Sequence, residues 1–229
     1  MVINDFLSEM GTNYEQKCLC VFILDVSDSM RGKPMEELNK GLLYLYSGFA
    51  NDVHISSKLE VSLITFNNIV KIIQEPSLIE DFKMPHLSPT DDSATAMEDA
   101  VNLAINLVEH RKEWYKMTGQ TYYRPLIVLI SSFEPSCFHN IDTLAKRIKK
   151  DTAIKKYSFM PIGTDISNMA IPNLFRGNFP PTILQNTGLD YIVHHVERLL
   201  DPEDITPLIT EEQKPVDISD QDWMRNFSI

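Results

Sequence analysis

Residues 25–32 read Asp-Val-Ser-Asp-Ser-Met-Arg-Gly, so that Asp25, Ser27 and Ser29 stand two apart directly after an apolar run. A turn there aims three oxygen-bearing side chains at one point. Hard divalent cations take oxygen ligands, and Mg²⁺ also keeps several of its waters. Other chemistry finds less support. Ser29 and Ser132 lack a G-x-S-x-G elbow, and His139 has no evident orienting carboxylate. None of the eight glycines forms a GxxxxGK phosphate loop. His194 and His195 are adjacent on a predicted helix and so cannot share a face. Cys18 and Cys20 would share one strand face, and with Cys137 they make an odd set with no second Cys/His pair at zinc spacing. Buried thiols in a reducing compartment are the simpler reading.

The surrounding elements must position the Asp25 turn. Residues 18–26, CLCVFILDV, suit a central parallel strand covered on both faces. Pro34 opens a helix whose apolar stripe includes Met35, Leu38, Leu42, Leu43 and Leu45, up to about Phe49. Residues 58–66 alternate Leu59, Val61 and Leu63 against Glu60 and Ser62, and Asn67-Asn68 turns the chain into an antiparallel edge strand at 69–74. A polar loop from Pro76 to Ser93 precedes a helix at 96–116. Then come a buried strand at 125–131, a helix at 140–152, a strand at 157–162, a short strand near 182–185 and a helix at 188–200. The alternation predicts a three-layer α/β/α sandwich with a mostly parallel central sheet and one antiparallel edge strand. Ligands of such sheets bind outside the carboxyl ends of the strands. The turn after Asp25, the loop before the 96–116 helix and the chain from Ser131 onward should therefore converge.

These segments resemble the von Willebrand factor A (vWA) domain with its metal-ion-dependent adhesion site (MIDAS), most nearly the bacterial TerY/YegL-like branch. The resemblance is carried by FILDVSDSMRGKPMEELNKGL at 22–42, SLITF at 62–66, TAMEDAV at 95–101 and PLIVLISSFEPS at 125–136, and it spans about residues 17–200. It implies a Rossmann-like vWA fold, with Ser27 and Ser29 as direct metal ligands. Asp25 would hold coordinated water or stabilise the ligand turn, and Thr95 would bind the metal directly or through water. At strand four the branch has aspartate-glycine where this chain has Ser132-Phe133, and Glu98 replaces a glycine after the threonine. With one carboxylate fewer, a 2+ charge is less neutralised and affinity should fall. Asp91, Asp92 and Glu134 are the nearby acids that would compensate. Two states remain open: bound Mg²⁺ or Mn²⁺, or a degenerate site in which Ser27, Ser29, Thr95 and Ser132 hydrogen-bond one another.

Composition bounds the partners. The chain has 229 residues, 43% hydrophobic and 23% charged, as expected of a folded domain. Its net charge of −11 sits largely at the ends. Residues 1–16 read as an extension with three acids and no base, 17–200 as the domain, and 201–229 as a tail with eight acids and two bases. This is a poor match for nucleic acid. No apolar run reaches the ~18 residues a membrane span needs. The first residues lack the basic and long apolar regions of a secretory leader. A cytoplasmic protein is expected. Lys146, Arg147, Lys149, Lys150, Lys155 and Lys156 form a basic run expected to be a solvated helix face. In the tail, Trp223, Met224, Phe227 and Ile229 are too apolar for a pure solubility segment and should be bound to a partner or to the domain itself.

The expected function is a non-enzymatic protein-binding module that receives a partner's acidic side chain at or near the MIDAS-like turn. The resemblance implies tellurite-resistance or stress-response assemblies with kinase- or phosphatase-like partners. The alternatives are a metal-free pseudo-site scaffold and a metal-dependent hydrolase. The hydrolase needs a general base or nucleophile near the cation, and the lost strand-four carboxylate weighs against it.

Overall fold

The computed structural model describes residues 15–92, 96–134, 141–165, 169–177, 179–184 and 189–200. Thr95, Ser93, Cys137, His139 and the tail from residue 201 lie outside these.

Eight consecutive buried residues form β1 (Cys18–Asp25). Alternate side chains enter two separate cores. Cys18, Cys20, Phe22 and Leu24 point into one, and Leu19, Val21 and Ile23 into the other. This is why the run is apolar throughout rather than alternating: both faces are dry. The two free thiols therefore share a face, as their spacing requires, and burial raises the pKa of both.

Along the chain, β1 is followed by α1 (Lys33–Ala50), α2 (Val53–Ser56), β2 (Leu59–Phe66), β3 (Val70–Leu78) and α3 (Met97–Thr118). Then come β4 (Leu126–Ser131), α4 (Ile141–Ala153), β5 (Ser158–Gly163), α5 (Ala170–Leu174), β6 (Thr182–Ile183) and α6 (Leu189–Leu200). The sheet order is β3-β2-β1-β4-β5-β6, with only β3 antiparallel. Helices α1 and α6 cover one face, and α3 and α4 cover the other. The expected three-layer α/β/α sandwich with an antiparallel edge strand is the architecture found.

Local sequence explains the joints. Gly32 precedes α1 at φ +80°, a conformation that suits glycine, and Pro34 occupies the first turn, where its missing N–H is not needed. A Cβ at Gly41 would lie 2.5 Å from Leu189 Cδ1, so this glycine lets α1 and α6 meet.

Four details differ from the sequence reading. β3 runs to Leu78 rather than ending at residue 74, because Pro76 is tolerated on an edge strand that needs no further ladder bond there. Leu43 is 57% exposed and lies off the buried stripe of α1. Glu60 and Ser62 are buried instead of facing solvent. Arg111 and Tyr115 of α3 satisfy Glu60, and the Ser62 hydroxyl donates to the Gln74 carbonyl. Finally, α2 and α5 are short helices that no periodicity marked.

Candidate metal-ion-dependent adhesion site

β1 and β4 are parallel neighbours, with Leu24 opposite Ile130, so Asp25 and Ser131 leave the sheet side by side. Asp25 and Ser27 are each 1% exposed. The carboxylate of Asp25 accepts on both oxygens. Its Oδ1 takes the Ser27 backbone N–H at 2.9 Å and the Ser27 hydroxyl at 2.6 Å. Its Oδ2 takes the Ser131 hydroxyl at 2.5 Å. Burial raises the Asp25 pKa, and the bonds from Ser131 and Ser27 oppose that rise.

The hydroxyls continue beyond Asp25. Ser27 Oγ lies 2.9 Å from Ser29 Oγ, which lies 2.7 Å from Ser132 Oγ. A chain of polar groups thus runs Ser131–Asp25–Ser27–Ser29–Ser132 along the carboxyl edge. Four of the five candidate residues, Asp25, Ser27, Ser29 and Ser132, are brought together. Thr95 lies outside the described residues. Sequence reasoning placed Ser131 at the strand end without giving it a role. The signal was present: a second hydroxyl beside Ser132, at the end of a buried strand adjoining the one that ends in Asp25.

The loop ahead of α3 is fastened across this turn. The Asp28 N–H donates to the Asp92 carbonyl at 3.0 Å, and the Thr90 N–H and hydroxyl both donate to the Val26 carbonyl. Asn67 Nδ2 reaches Thr90 Oγ1 at 3.0 Å and Asp92 Oδ2 at 3.2 Å, while Asn67 Oδ1 accepts from the Ile69 N–H to form the hairpin turn. Of the acids that would compensate for Ser132, Asp91 is engaged by Arg31 at 2.6 Å and Glu134 is exposed.

Phe133 follows Ser132 with φ +52°, the left-handed region. The backbone keeps the conformation a glycine would favour, but the ring is 1% exposed and belongs to the core between the sheet and α3–α4. It lies 6.4 Å from the Phe175 ring, centre to centre. The ring is a core element.

The donor set suits a small hard cation in its oxygen chemistry but not in charge. Ligands about 2.05 Å from an octahedral Mg²⁺ lie about 2.9 Å apart when adjacent. The hydroxyl separations of 2.9 and 2.7 Å come close to that edge, and they are equally the ordinary length of O–H···O hydrogen bonds. Against this, Asp25 supplies a carboxylate to the chain of hydroxyls, and Ser132 adds no charge at the other end. No group of three or more His, Cys, Asp or Glu side chains able to hold a metal occurs among the described residues.

The remaining candidates are structural. His194 is exposed and lies 3.2 Å from Glu197, whereas His195 sits edge-on to Phe179 with ring centres 4.5 Å apart. Burial, with Arg198 and Arg124 nearby, lowers the His195 pKa to about 4. The two rings diverge, as adjacent helix positions must. No described helix is long and apolar enough to cross a membrane.

No protein-family model matches the chain, nor does any curated protein sequence. Solved structures do match. Proximal thread matrix protein 1 of the mussel byssus superposes with TM-score 0.55 at 14% identity, over 80% of this chain and 46% of that one. A structure of the same mussel protein carries a zinc-occupied MIDAS motif. The D319A mutant of the PilB minor pilin of Streptococcus sanguinis gives TM-score 0.55 at 13% identity, over 81% of this chain and 63% of that one. The conserved hypothetical protein BatB of Bacteroides thetaiotaomicron gives 0.52 at 14%, over 79% and 98%. The chain therefore spans less than two thirds of the mussel protein and of the pilin. The fold is vWA-like.

Proposed function

We propose that this domain is a non-enzymatic protein-interaction module that receives a partner's carboxylate at the carboxyl edge of its sheet, at a degenerate MIDAS. The observation that carries the reading is the hydroxyl chain from Asp25 to Ser132. It gathers oxygen donors at one point of the carboxyl edge, but Ser132 replaces the second carboxylate that the vWA resemblance leads one to expect. Ser27 and Ser29 would hold Mg²⁺ or Mn²⁺ directly, Asp25 would orient the turn, and Thr95 and Ser132 would complete the set. A bound cation would supply an open position for an anionic partner group. The zinc-occupied motif of the mussel protein supports a metal at this place in the fold. A tellurite-resistance-type or stress-response assembly in the bacterial cytosol belongs to the same reading.

A second reading has its own observation. The hydroxyls already satisfy one another, so the edge is complete as a metal-free scaffold. Calorimetric titration with Mg²⁺ and Mn²⁺, combined with amide-resonance mapping on adding acetate as the smallest carboxylate probe, separates the two. The module reading expects cation-dependent acetate shifts clustered at residues 27–29 and 132. Acetate shifts there without any cation support the scaffold. No shifts in the wild type or in Ser132→Asp, with or without cation, would overturn carboxylate binding at this edge.

A further inference from the structure

The basic run forms a coherent surface. On α4, Leu144, Ala145, Ile148, Asp151 and Thr152 are buried, which leaves Lys146, Lys149 and Lys150 on the opposite, exposed side. Lys146 and Lys150 stand four apart along it, and Ile154 follows in the turn just past its end. Ile154 is 50% exposed, an apolar end to a cationic stripe. Residues 141–156 hold six basic and two acidic side chains.

The neighbouring acids are already engaged. Asp151 lies 3.7 Å from Arg147 and 3.2 Å from Lys156. On the adjacent α3, Glu109 pairs with Lys112 at 3.6 Å, and Asn102 receives Arg147. Asp142 is the remaining acid on α4 itself and lies in its first turn. No ion pair to Lys146, Lys149, Lys150 or Lys155 occurs among the described residues.

Topology brings a complementary charge to the same edge of the sheet. A helix that joins parallel strands runs back to their amino ends. Thus α4 ends at the amino edge of the sheet, where β5 begins. The last helix, α6, follows β6 and likewise runs back to that edge, where it contacts α2, the short helix just ahead of β2. The chain therefore leaves Leu200 at the same amino edge as Lys155 and Lys156 but on the opposite face of the sheet from α4, so a docked tail must first pass around that edge. The sequence that continues from Leu200 is Asp201-Pro202-Glu203-Asp204, the start of a stretch with eight acids and two bases that carries Trp223, Met224, Phe227 and Ile229.

We propose that the acidic segment 211–222, carried around the amino edge by residues 201–210, docks on the lysine face of α4 in the same chain, with Ile154 receiving the apolar run that follows it. Tethering makes the encounter intramolecular, at an effective concentration in the millimolar range for a short flexible connection. Attraction between exposed charges is modest and falls steeply within a screening length of roughly 8–10 Å at physiological salt. Docking should therefore be reversible and salt-sensitive. The lysine face then becomes a surface that an acidic partner can claim only by displacing the tail.

The test is lysine footprinting on the full chain. Acetic anhydride labelling is quantified residue by residue, at 20 and 500 mM NaCl. The comparison is a tail-neutralised variant carrying Glu211→Gln, Glu212→Gln, Asp217→Asn, Asp220→Asn and Asp222→Asn. At low salt Lys146, Lys149, Lys150 and Lys155 should label roughly threefold more slowly in the native chain, the protection of a mostly docked population. The difference should vanish at high salt, and Lys33 and Lys116 should not change. Equal labelling of the native chain and the variant at low salt overturns the proposal. So does protection that grows with protein concentration, which would place the tail on a second copy.

Discussion

The Ser131 hydroxyl donates to Asp25 Oδ2 at 2.5 Å across the β1–β4 pair, while Ser27 takes the other carboxylate oxygen. Both oxygens of a nearly inaccessible carboxylate are thereby satisfied within the protein. Burial still dominates and raises the Asp25 pKa above its ordinary value of 3.8. A carboxyl raised on folding loses its proton first in the unfolded chain. As pH climbs from about 4 through the folded value, this group therefore subtracts stability, and above that value the loss is complete. Asp25→Asn removes the titration. The stability of the native protein relative to Asp25→Asn should fall across that window, as urea unfolding at several pH values would show. A difference that stays constant or rises with pH would contradict the assignment.

Ser132→Asp tests the charge deficit of the site. The substitution places a second carboxylate beside Ser29, whose hydroxyl lies 2.7 Å from that of Ser132 in the native chain. Affinity for Mn²⁺ should rise about tenfold or more, since each tenfold step needs only about 1.4 kcal/mol and a second anionic ligand supplies at least that. Calorimetry reads it directly. Equal affinity in the two proteins would show that Ser132 is not the deficit.

Phe133 makes an opposite demand. Its left-handed backbone favours glycine, but its ring fills the core. Truncating a buried phenylalanine costs about 3–5 kcal/mol. Alanine would pay that and keep the left-handed penalty of about 1–2 kcal/mol, which glycine escapes. Both variants should be destabilised, with Phe133→Gly the more stable by about 1 kcal/mol in denaturant unfolding, the reverse of the usual alanine–glycine order. A more stable Phe133→Ala would remove the backbone argument. For this reason Ser132→Asp alone, without a change at Phe133, is the cleaner test of metal affinity.

Most of the architecture was legible because both faces of the sheet are dry. The continuous apolar runs at 18–24 and 126–130 announce buried parallel strands, and the strand-end rule then brings Asp25 and Ser132 together. Three features escaped because pattern reading sees residue types and not partners. Glu60 alternates with Leu59 and Val61 as a surface residue would, yet Arg111 lies fifty-one positions away and makes it a core residue. Leu43 looks like part of the α1 stripe until the position of α6 against Gly41 sets which side is buried. Ser131 reads as the last polar residue of a strand until β1 and β4 are paired.

The Glu60–Arg111 pair carries the last prediction. The guanidinium contacts both carboxylate oxygens at 2.8 and 2.9 Å and lies 4.0 Å over the Trp114 ring, and the Tyr115 hydroxyl donates to Glu60 Oε2 at 2.6 Å. The two charged side chains are only 12% and 4% exposed. Burial works against the charged guanidinium, but the hydrogen bonds and charge of Glu60 outweigh it and raise its pKa. Removing one member strands the other, a loss of about 3–5 kcal/mol for Arg111→Met. Adding Glu60→Gln in that background deletes the stranded charge and leaves Tyr115 an acceptor. The double variant should therefore be more stable than Arg111→Met alone, although Glu60→Gln by itself destabilises the native protein. Urea unfolding of the four proteins gives the coupling energy. If the second substitution adds to the damage of the first, the carboxylate is not held by Arg111, and the account of why Glu60 is buried at the amino end of β2 fails.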